Sequence, residues 1–150
     1  MIGLLQRVGH ADVRIDGVSV AGIGHGLLVF IGVERGDSAA GADRLLGRLL
    51  DYRVFADRDG RMNRSLAQTA GGLLLVPQFT LLADTRKGTR PGFSAAASPD
   101  DAAACFEQLV AGARRRHADV AAGRFGADMQ VSLCNDGPVT FWLSVPPDSN

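Results

Sequence analysis

Gln78 and Thr80 are polar residues within the apolar run from Leu73 to Leu82. A buried amide or hydroxyl without a hydrogen-bond partner is costly, so either the fold or a ligand must satisfy these side chains. Pro77 has no backbone N–H and indicates that the strand breaks or reaches an edge there. The N–H groups of Gln78, Phe79 and Thr80 would then be free, and beside a hydroxyl they could bind an oxyanion. A purely structural strand end is the alternative.

The segment from Asn135 to Thr140 is the second candidate, because it contains Gly137-Pro138. Apolar and polar residues alternate on both sides of it, which predicts two strands, and Asn-Asp-Gly-Pro between them predicts a hairpin turn. An X-Pro bond has a small cis penalty, about 0.5–1 kcal/mol, and proline removes one donor. Such a turn can direct two adjacent carbonyl oxygens at a ligand, but an ordinary hairpin explains the same residues.

Three positive charges, Arg86, Lys87 and Arg90, lie in a segment from Asp84 to Ser98 that has little periodicity. A cationic loop of this length suits phosphate groups. The second basic cluster, at 114–116, ends a predicted helix, where cations complement the helix dipole and need no ligand. The first cluster is therefore the candidate phosphate contact.

The usual catalytic signatures are missing from the sequence. It has no nucleophile elbow, no Walker-type phosphate loop and no H-E-x-x-H, and its three histidines stand in unrelated contexts. The two cysteines have no metal-ligand spacing and indicate neither a disulfide framework nor a zinc site. We therefore expect no metal and no cofactor.

The bulk properties predict a single domain over residues 1–150. Sixteen basic and sixteen acidic residues cancel, so any RNA contact must be local rather than due to overall charge. No apolar run nears 18 residues, and the start of the chain is too polar for a signal peptide. We expect a cytoplasmic protein without a membrane segment.

The order of elements favours an α+β fold. Strands are predicted for 1–15, 18–23 and 27–33, with an irregularity near 9–10, and helices for 38–52 and 99–117. Ser38 and Ser98 are suitable N-caps for the two helices, and Pro99 suits the first turn of the second. Short turns and several hairpins predict a mostly antiparallel, barrel-like sheet with two main helices. A small α/β layer fold is the alternative.

Eight segments, in order and spread over nearly the whole chain, resemble the D-aminoacyl-tRNA deacylase family of the D-tyrosyl-tRNA type. Each segment alone is weak, but the ordered set is very specific. The segments are Met1–Val8, Gly26–Val29, Met62-Asn63, Gln78–Leu81, Arg90–Ser94, Gly123–Phe125, Ala127–Val131 and Asn135–Leu143.

The resemblance implies a homodimer that hydrolyses the ester between a D-amino acid, or glycine, and the 3′-terminal adenosine of tRNA. It implies that the Gly137–Pro138 bond is cis and enters the partner subunit's pocket, where its carbonyl oxygens exclude an L side chain. The N–H groups near Gln78, Phe79 and Thr80 would hold the ester oxyanion and make these the catalytic residues, with help from the tRNA 2′-hydroxyl.

The resemblance also assigns the pocket walls. Phe125 and Met129 correspond to family positions at the adenosine end. Pro77 stands where the family commonly has Ser, and a related branch with Pro-Gln-Ala-Thr has a trans turn and rejects L substrates less well. Because Phe79 is retained and the Asn135–Thr140 motif matches fully, D-specificity is expected. Thr80 as a covalent nucleophile ranks lower, since no general base lies near it in sequence.

Two other functions stay open at this point. One is a non-catalytic protein that binds RNA ends through Arg86, Lys87 and Arg90. The other is an esterase driven by a side chain such as His or Ser, although no triad is evident in the sequence.

Overall fold

A computed structural model of the chain describes residues 1–147. The strands are β1 (Ile2–Ile15), β2 (Val18–Ile23), β3 (Gly26–Gly32), β4 (Phe55–Ala56), β5 (Met62–Arg64), β6 (Gly72–Pro77), β7 (Val120–Ala122) and β8 (Gln130–Ser144). The helices are α1 (Ala39–Asp51), α2 (Leu66–Thr69) and α3 (Pro99–Arg116), with a 3-10 turn at Phe79–Leu82. No helix within the described residues is long and apolar enough to cross a membrane. The α+β class and the two main helices are confirmed.

The main sheet is mixed, and antiparallel pairings predominate in it, as expected. Its strand order is β2-β1-β3-β6-β7, and outside this order β8 also pairs with β1. The pairings of β1 with β2, β3 and β8 are antiparallel, whereas β3–β6 and β6–β7 are parallel. The parallel pairs arise because α1 and α3 act as crossovers between these strands. Contacts between β2 and β7 bring the ends together into a nearly closed barrel.

Both main helices begin where the sequence predicts. The Ser38 hydroxyl accepts a hydrogen bond from the Gly41 N–H at the start of α1. The Ser98 hydroxyl accepts one from the Asp101 N–H at the start of α3, with Pro99 in the first turn. These hydroxyls satisfy donors that the first helical turn leaves unpaired.

Two apolar clusters fill the two sides of the sheet. Strand residues alternate between them, because successive side chains point to opposite faces. Leu27 and Val29 pack with α1 and α3 in the outer cluster. Leu28 and Leu74 pack with Val76 in the inner cluster, inside the barrel. Strand β3 is therefore buried on both faces.

The predicted hairpin around Asn135–Thr140 is wrong. The chain continues as one strand, β8, whose two halves both pair with β1. Thr140 lies opposite Gln6 and Asn135 lies opposite Val8, so residues 136–139 face only one residue of β1. The segment is a large bulge within one strand, with four residues opposite one. The predicted irregularity near residues 9–10 is confirmed, since the register also shifts between Val8 and His10.

The α-ammonium group of Met1 ties three elements together. It donates to Asp37 Oδ1 (2.8 Å), Glu34 Oε2 (2.9 Å) and the Val145 carbonyl oxygen (2.6 Å). The Asp37 side chain is 1% exposed, whereas that of Glu34 is 26% exposed. The start of β1, the loop after β3 and the end of β8 are therefore held by one buried charge.

We expect Asp37→Asn to lower the free energy of unfolding by about 2–4 kcal/mol, because the buried ammonium loses its most desolvated counter-charge. Glu34→Gln is the matched control and should cost less than about 1 kcal/mol, since its carboxylate is partly solvated. Urea denaturation of both variants measures the difference. Equal losses would contradict the assignment of Asp37 as the main partner.

Candidate functional site

A cavity of about 500 Å³ opens where β6 ends, and its walls are mostly apolar. It brings together five residues singled out in the sequence: Pro77, Gln78, Phe79, Phe125 and Met129. The remaining lining residues are Val76, Ala96, Ala97, Pro99, Ala102, Gly126, Ala127, Asp128 and Val131. A concave apolar pocket of this size, with a few polar groups at one side, is typical of a ligand site.

Local backbone geometry explains why these segments meet. Pro77 is the last residue of β6, and the chain then turns into the 3-10 segment that begins at Phe79. The Gly123 N–H donates to the Leu75 carbonyl oxygen (2.8 Å), which aligns the exit of β7 with the end of β6. Residues 125–129 therefore return across the end of β6 and form the facing wall.

The fold satisfies part of the polar strand end. The Gln78 N–H donates to the Ile31 carbonyl oxygen (2.7 Å), so this amide is already engaged. The Gln78 side-chain amide donates to the Thr80 hydroxyl oxygen. Among residues 1–147, the N–H groups of Phe79 and Thr80 have no hydrogen-bond partner. Thr80 itself is exposed and does not line the cavity.

Gly137 and Pro138 project from the bulge of β8. Their peptide bond is cis, and both residues are exposed. Gly137 has φ +147°, a conformation that residues with a Cβ rarely adopt. Neither residue lines the cavity of its own chain. The structure therefore separates the two sequence motifs within one chain instead of bringing them together.

Two residues whose side chains were given no role from the sequence hold the bulge in place. Arg7 lies opposite it in β1, where its Nε donates to the Asp136 carbonyl oxygen (2.8 Å) and its Nη1 to the Val54 carbonyl oxygen (2.6 Å). Asn135 hydrogen-bonds across the base of the bulge through both ends of its amide. For Arg7, the sequence did contain one indication of such a role: the polar pair Gln6-Arg7 stands inside an otherwise largely apolar strand.

The basic segment forms a closed loop. Backbone hydrogen bonds in both directions join Asp84 and Gly92 (2.7 and 3.1 Å). Lys87 and Arg90 line a shallow cavity of about 530 Å³ together with Arg86. The Arg86 guanidinium donates to Asp84, which lowers the pKa of that carboxyl group. Asp84 therefore stays ionised and offsets one of the three positive charges of the loop.

Two further features bear on chemistry: the buried Cys105 thiol and the arrangement of potential metal ligands. Burial, reinforced by the nearby Asp37 carboxylate, raises the pKa of the Cys105 thiol and disfavours the reactive thiolate. Within residues 1–147, no group of three His, Cys, Asp or Glu side chains is placed to hold a metal ion. Main-chain groups, the Gln78 amide and the Asp128 carboxylate therefore accompany the apolar walls of the cavity.

A row of apolar side chains crosses three strands beside the bulge. Trp142 lies opposite Leu4, and Leu4 lies opposite Phe30 on its other side. Trp142 is 52% exposed, and Phe79, in the cavity wall, is 57% exposed. Large aromatic residues at this exposure are common in the surfaces through which proteins associate.

A family model described as D-Tyr-tRNA(Tyr) deacylase matches residues 4–144. A D-aminoacyl-tRNA deacylase from Janthinobacterium sp. (strain Marseille) is 63% identical over 147 residues, covering 98% of this chain and 99% of that protein. A D-aminoacyl-tRNA deacylase from Methylococcus capsulatus is 58% identical over 148 residues, covering 99% of this chain and 97% of that one.

Two solved structures have a similar fold. The structure of a c-Myc DNA unwinding element binding protein has a TM-score of 0.92 and 32% identity, and covers 97% of this chain and 99% of its own. The structure of a probable eukaryotic D-amino acid tRNA deacylase has a TM-score of 0.81 at 18% identity, which supports the fold alone; it covers 96% of this chain and 98% of its own.

Proposed function

The chain belongs to the D-Tyr-tRNA(Tyr) deacylase family, and from this premise we propose that it hydrolyses the ester bond of D-aminoacyl-tRNA. The products are the free D-amino acid and tRNA. Glycine mischarged onto tRNA is a second substrate, because it has no side chain to be excluded. The enzyme is a hydrolase that acts as a chiral proofreader in translation.

The arrangement of the two motifs is the observation that carries this proposal. The cavity holds Gln78 and Phe79, while Gly137 and Pro138 project outward from the same chain, away from that cavity. Because Gly137 and Pro138 do not line the cavity of their own chain, a role for them in such a cavity requires a second copy of the chain. In a homodimer with two-fold symmetry, each subunit can supply the element to the other's pocket.

The apolar row, in which Trp142 is exposed and Leu4 and Phe30 are half-buried, supports such a homodimer. Trp142, Leu4 and Phe30 lie on the sheet beside the bulge, so an association that covers them would also carry Gly137 and Pro138 toward the partner. Burying exposed aromatic area favours association. The homodimer is thus part of the proposed active site and is needed to complete it.

Stereochemical selection would rest on main-chain atoms. The carbonyl oxygens of Gly137 and Pro138 would face the chiral centre of the bound amino acid and occupy the space that an L side chain requires. A D side chain points the other way and escapes the clash. Selection by a steric obstacle to the wrong substrate can give large discrimination without tight binding of the right one.

The chemistry would require little from side chains. An aminoacyl ester is reactive, and the neighbouring ribose 2′-hydroxyl can position or activate water. Because the Gln78 N–H is bonded to Ile31, the N–H groups of Phe79 and Thr80 are the remaining main-chain donors for the developing oxyanion. The Thr80 hydroxyl contacts the Gln78 amide, which is no base, so a covalent Thr80 mechanism ranks lower.

Pro77, Phe125 and Met129 would complete the substrate pocket. Phe125 and Met129 form its apolar wall, which suits the adenine of the tRNA 3′ end. Pro77 replaces the family's common Ser at the pocket edge and offers neither a hydroxyl nor an N–H. The stringency of L rejection is the property that this replacement would affect.

We expect the purified protein to release D-tyrosine from D-Tyr-tRNA much faster than L-tyrosine from L-Tyr-tRNA, at enzyme concentrations far below substrate. Gly137→Ala should lower kcat/KM for D-Tyr-tRNA at least about tenfold, because a misplaced reacting geometry is costly. A Cβ at residue 137 would lie 2.6 Å from Val139 Cγ2, so the bulge must shift.

Gly9→Ala is the matched control for Gly137→Ala. Gly9 lies close to the bulge, in β1, but an added Cβ meets nothing within 4 Å, so this variant should keep full activity. A protein that binds D-Tyr-tRNA without turnover would instead support the alternative of a non-catalytic nucleic-acid-binding protein. Equal release of D- and L-tyrosine would rule out chiral selection.

Subunit exchange should restore activity when two impaired variants are mixed. Ala97→Trp fills the cavity, and Gly137→Ala displaces the projecting element. In a mixed dimer, the intact element of the Ala97→Trp subunit enters the intact cavity of the other subunit. Random mixing should recover about a quarter of wild-type activity, since about half the dimers are mixed and each has one complete site. No recovery would indicate that each chain completes its own site.

Arg86, Lys87 and Arg90 are the proposed contacts to tRNA phosphates. The logarithm of tRNA affinity falls as the logarithm of salt concentration rises. Lys87→Ala and Arg90→Ala should each make this negative slope shallower by about 1, since each phosphate contact releases about one counterion. Filter binding of tRNA across a salt series measures the slope. Arg58→Ala, at an exposed turn of another segment, should leave it unchanged; an equal decrease there would contradict a local contact.

A further inference from the structure

The side chain of Asn135 closes the base of the β8 bulge. Its Oδ1 accepts from the Val139 N–H (2.7 Å), so residue 135 is tied to the residue that follows Pro138. Its Nδ2 lies within hydrogen-bond distance of three oxygens: Thr140 Oγ1 (2.9 Å), Gln6 Oε1 (3.1 Å) and the Val139 carbonyl (3.3 Å). One amide therefore spans the four residues that leave the ladder.

These contacts replace backbone pairing that the bulge removes. The ladder with β1 stops at the Thr140–Gln6 pair and resumes at the Asn135–Val8 pair. Between these points, residues 136–139 have only Arg7 opposite them. Asn135 reaches across this gap and contacts both members of the Thr140–Gln6 pair. The two ends of the bulge are thus joined by a side chain.

Arg7 and Asn135 act on opposite sides of the projecting residues. Arg7 binds the carbonyl oxygen of Asp136, before Gly137, whereas Asn135 binds the backbone of Val139, after Pro138. Fixing only the first side would leave the returning chain free to shift. The carbonyl oxygens of Gly137 and Pro138 therefore depend on Asn135 for their position relative to the sheet.

We propose that Asn135 is a positioning residue that sets the stereochemical selectivity of the enzyme by fixing the chain after Pro138. This inference rests on the proposed function, in which Gly137 and Pro138 exclude L substrates from the partner's pocket. A looser bulge lets these two carbonyl oxygens recede, so an L side chain gains space. Hydrolysis of a D substrate, which does not meet the obstacle, suffers less.

Asn135→Asp is the sharpest variant because it preserves size and one contact. A carboxylate oxygen can still accept from the Val139 N–H, but it has no proton to donate to Gln6 Oε1 or to the Val139 carbonyl. The carboxylate oxygen would then face the Gln6 Oε1 and Val139 carbonyl oxygens without a proton between them. Because such oxygens repel one another and lack hydrogen bonds, the base of the bulge should open. Thr140→Val removes one acceptor of the amide at nearly constant volume and provides an independent, milder test.

The measurement is kcat/KM for D-Tyr-tRNA and for L-Tyr-tRNA with the protein of residues 1–150. We expect Asn135→Asp to lower the D-over-L ratio about tenfold or more, mainly through faster L hydrolysis, and Thr140→Val to lower it in the same direction by less. Gln130→Glu, which adds the same charge at an exposed position of β8 away from the bulge, should keep the wild-type ratio.

Amide hydrogen exchange gives a readout that does not depend on catalysis. The Val139 N–H should exchange about tenfold or more faster in Asn135→Ala than in wild type, while amides in the outer core keep their protection. Suppose that the wild type is selective for D-Tyr-tRNA. An unchanged D-over-L ratio in Asn135→Asp, or unchanged exchange of the Val139 N–H in Asn135→Ala, then overturns the inference about Asn135 but leaves the proposed function intact. A wild type that cleaves both substrates equally overturns the proposed function itself.

Discussion

The antiparallel pairing of β1 with both halves of β8 is the constraint on which the rest of the structure depends. Because Ile2–Gln6 and Val8–Arg14 pair with the two halves, β8 must continue in nearly the same line after its bulge. Residues 136–139 consequently leave and rejoin one ladder. A hairpin tip is anchored at one base only, whereas this segment is held at both ends. Its exposed main chain therefore has a defined position without packing of its own.

The mixed sheet divides the site between two kinds of strand pairing. The cavity lies where the parallel strands β6 and β7 end, which is the side on which parallel sheets commonly bind ligands. The projecting bulge belongs to the antiparallel half, on β8. The cavity and the bulge thus lie in different halves of one sheet. Under the proposed function, a second copy unites them.

The sequence was sufficient to predict those features that depend on interactions between residues close together in the chain. Ser38 and Ser98 identified the helix starts, and Pro77 identified the end of β6, because caps and a missing N–H act within a few residues. The bulge of β8 was mistaken for a hairpin because alternation on both sides looks the same whether the chain reverses or continues. Only the partner strand decides, and that pairing is distant in sequence.

The same distinction explains the candidate site. The parallel pairs escaped the sequence analysis, as did the three-residue β7, since their pattern depends on crossovers rather than on turn residues. Pro77, Gln78 and Phe79 were predicted from the polar end of a strand, and Phe125 and Met129 from the family resemblance; the structure gathers all five around one cavity. Arg7 and the side chain of Asn135 were given no role of their own, because their importance lies in which carbonyl or N–H they reach across the sheet.

A site built from main-chain groups has a particular vulnerability. If the oxyanion donors are N–H groups and the stereochemical obstacle is a pair of carbonyl oxygens, substitutions other than proline can move these groups but cannot remove them. Sensitivity should then concentrate in residues that fix the backbone, such as Gly137 with its φ of +147°, rather than in the hydroxyl of Thr80. The proposed enzyme thus separates function from side-chain chemistry, which explains how a sequence without a recognisable catalytic triad can belong to a family of hydrolases.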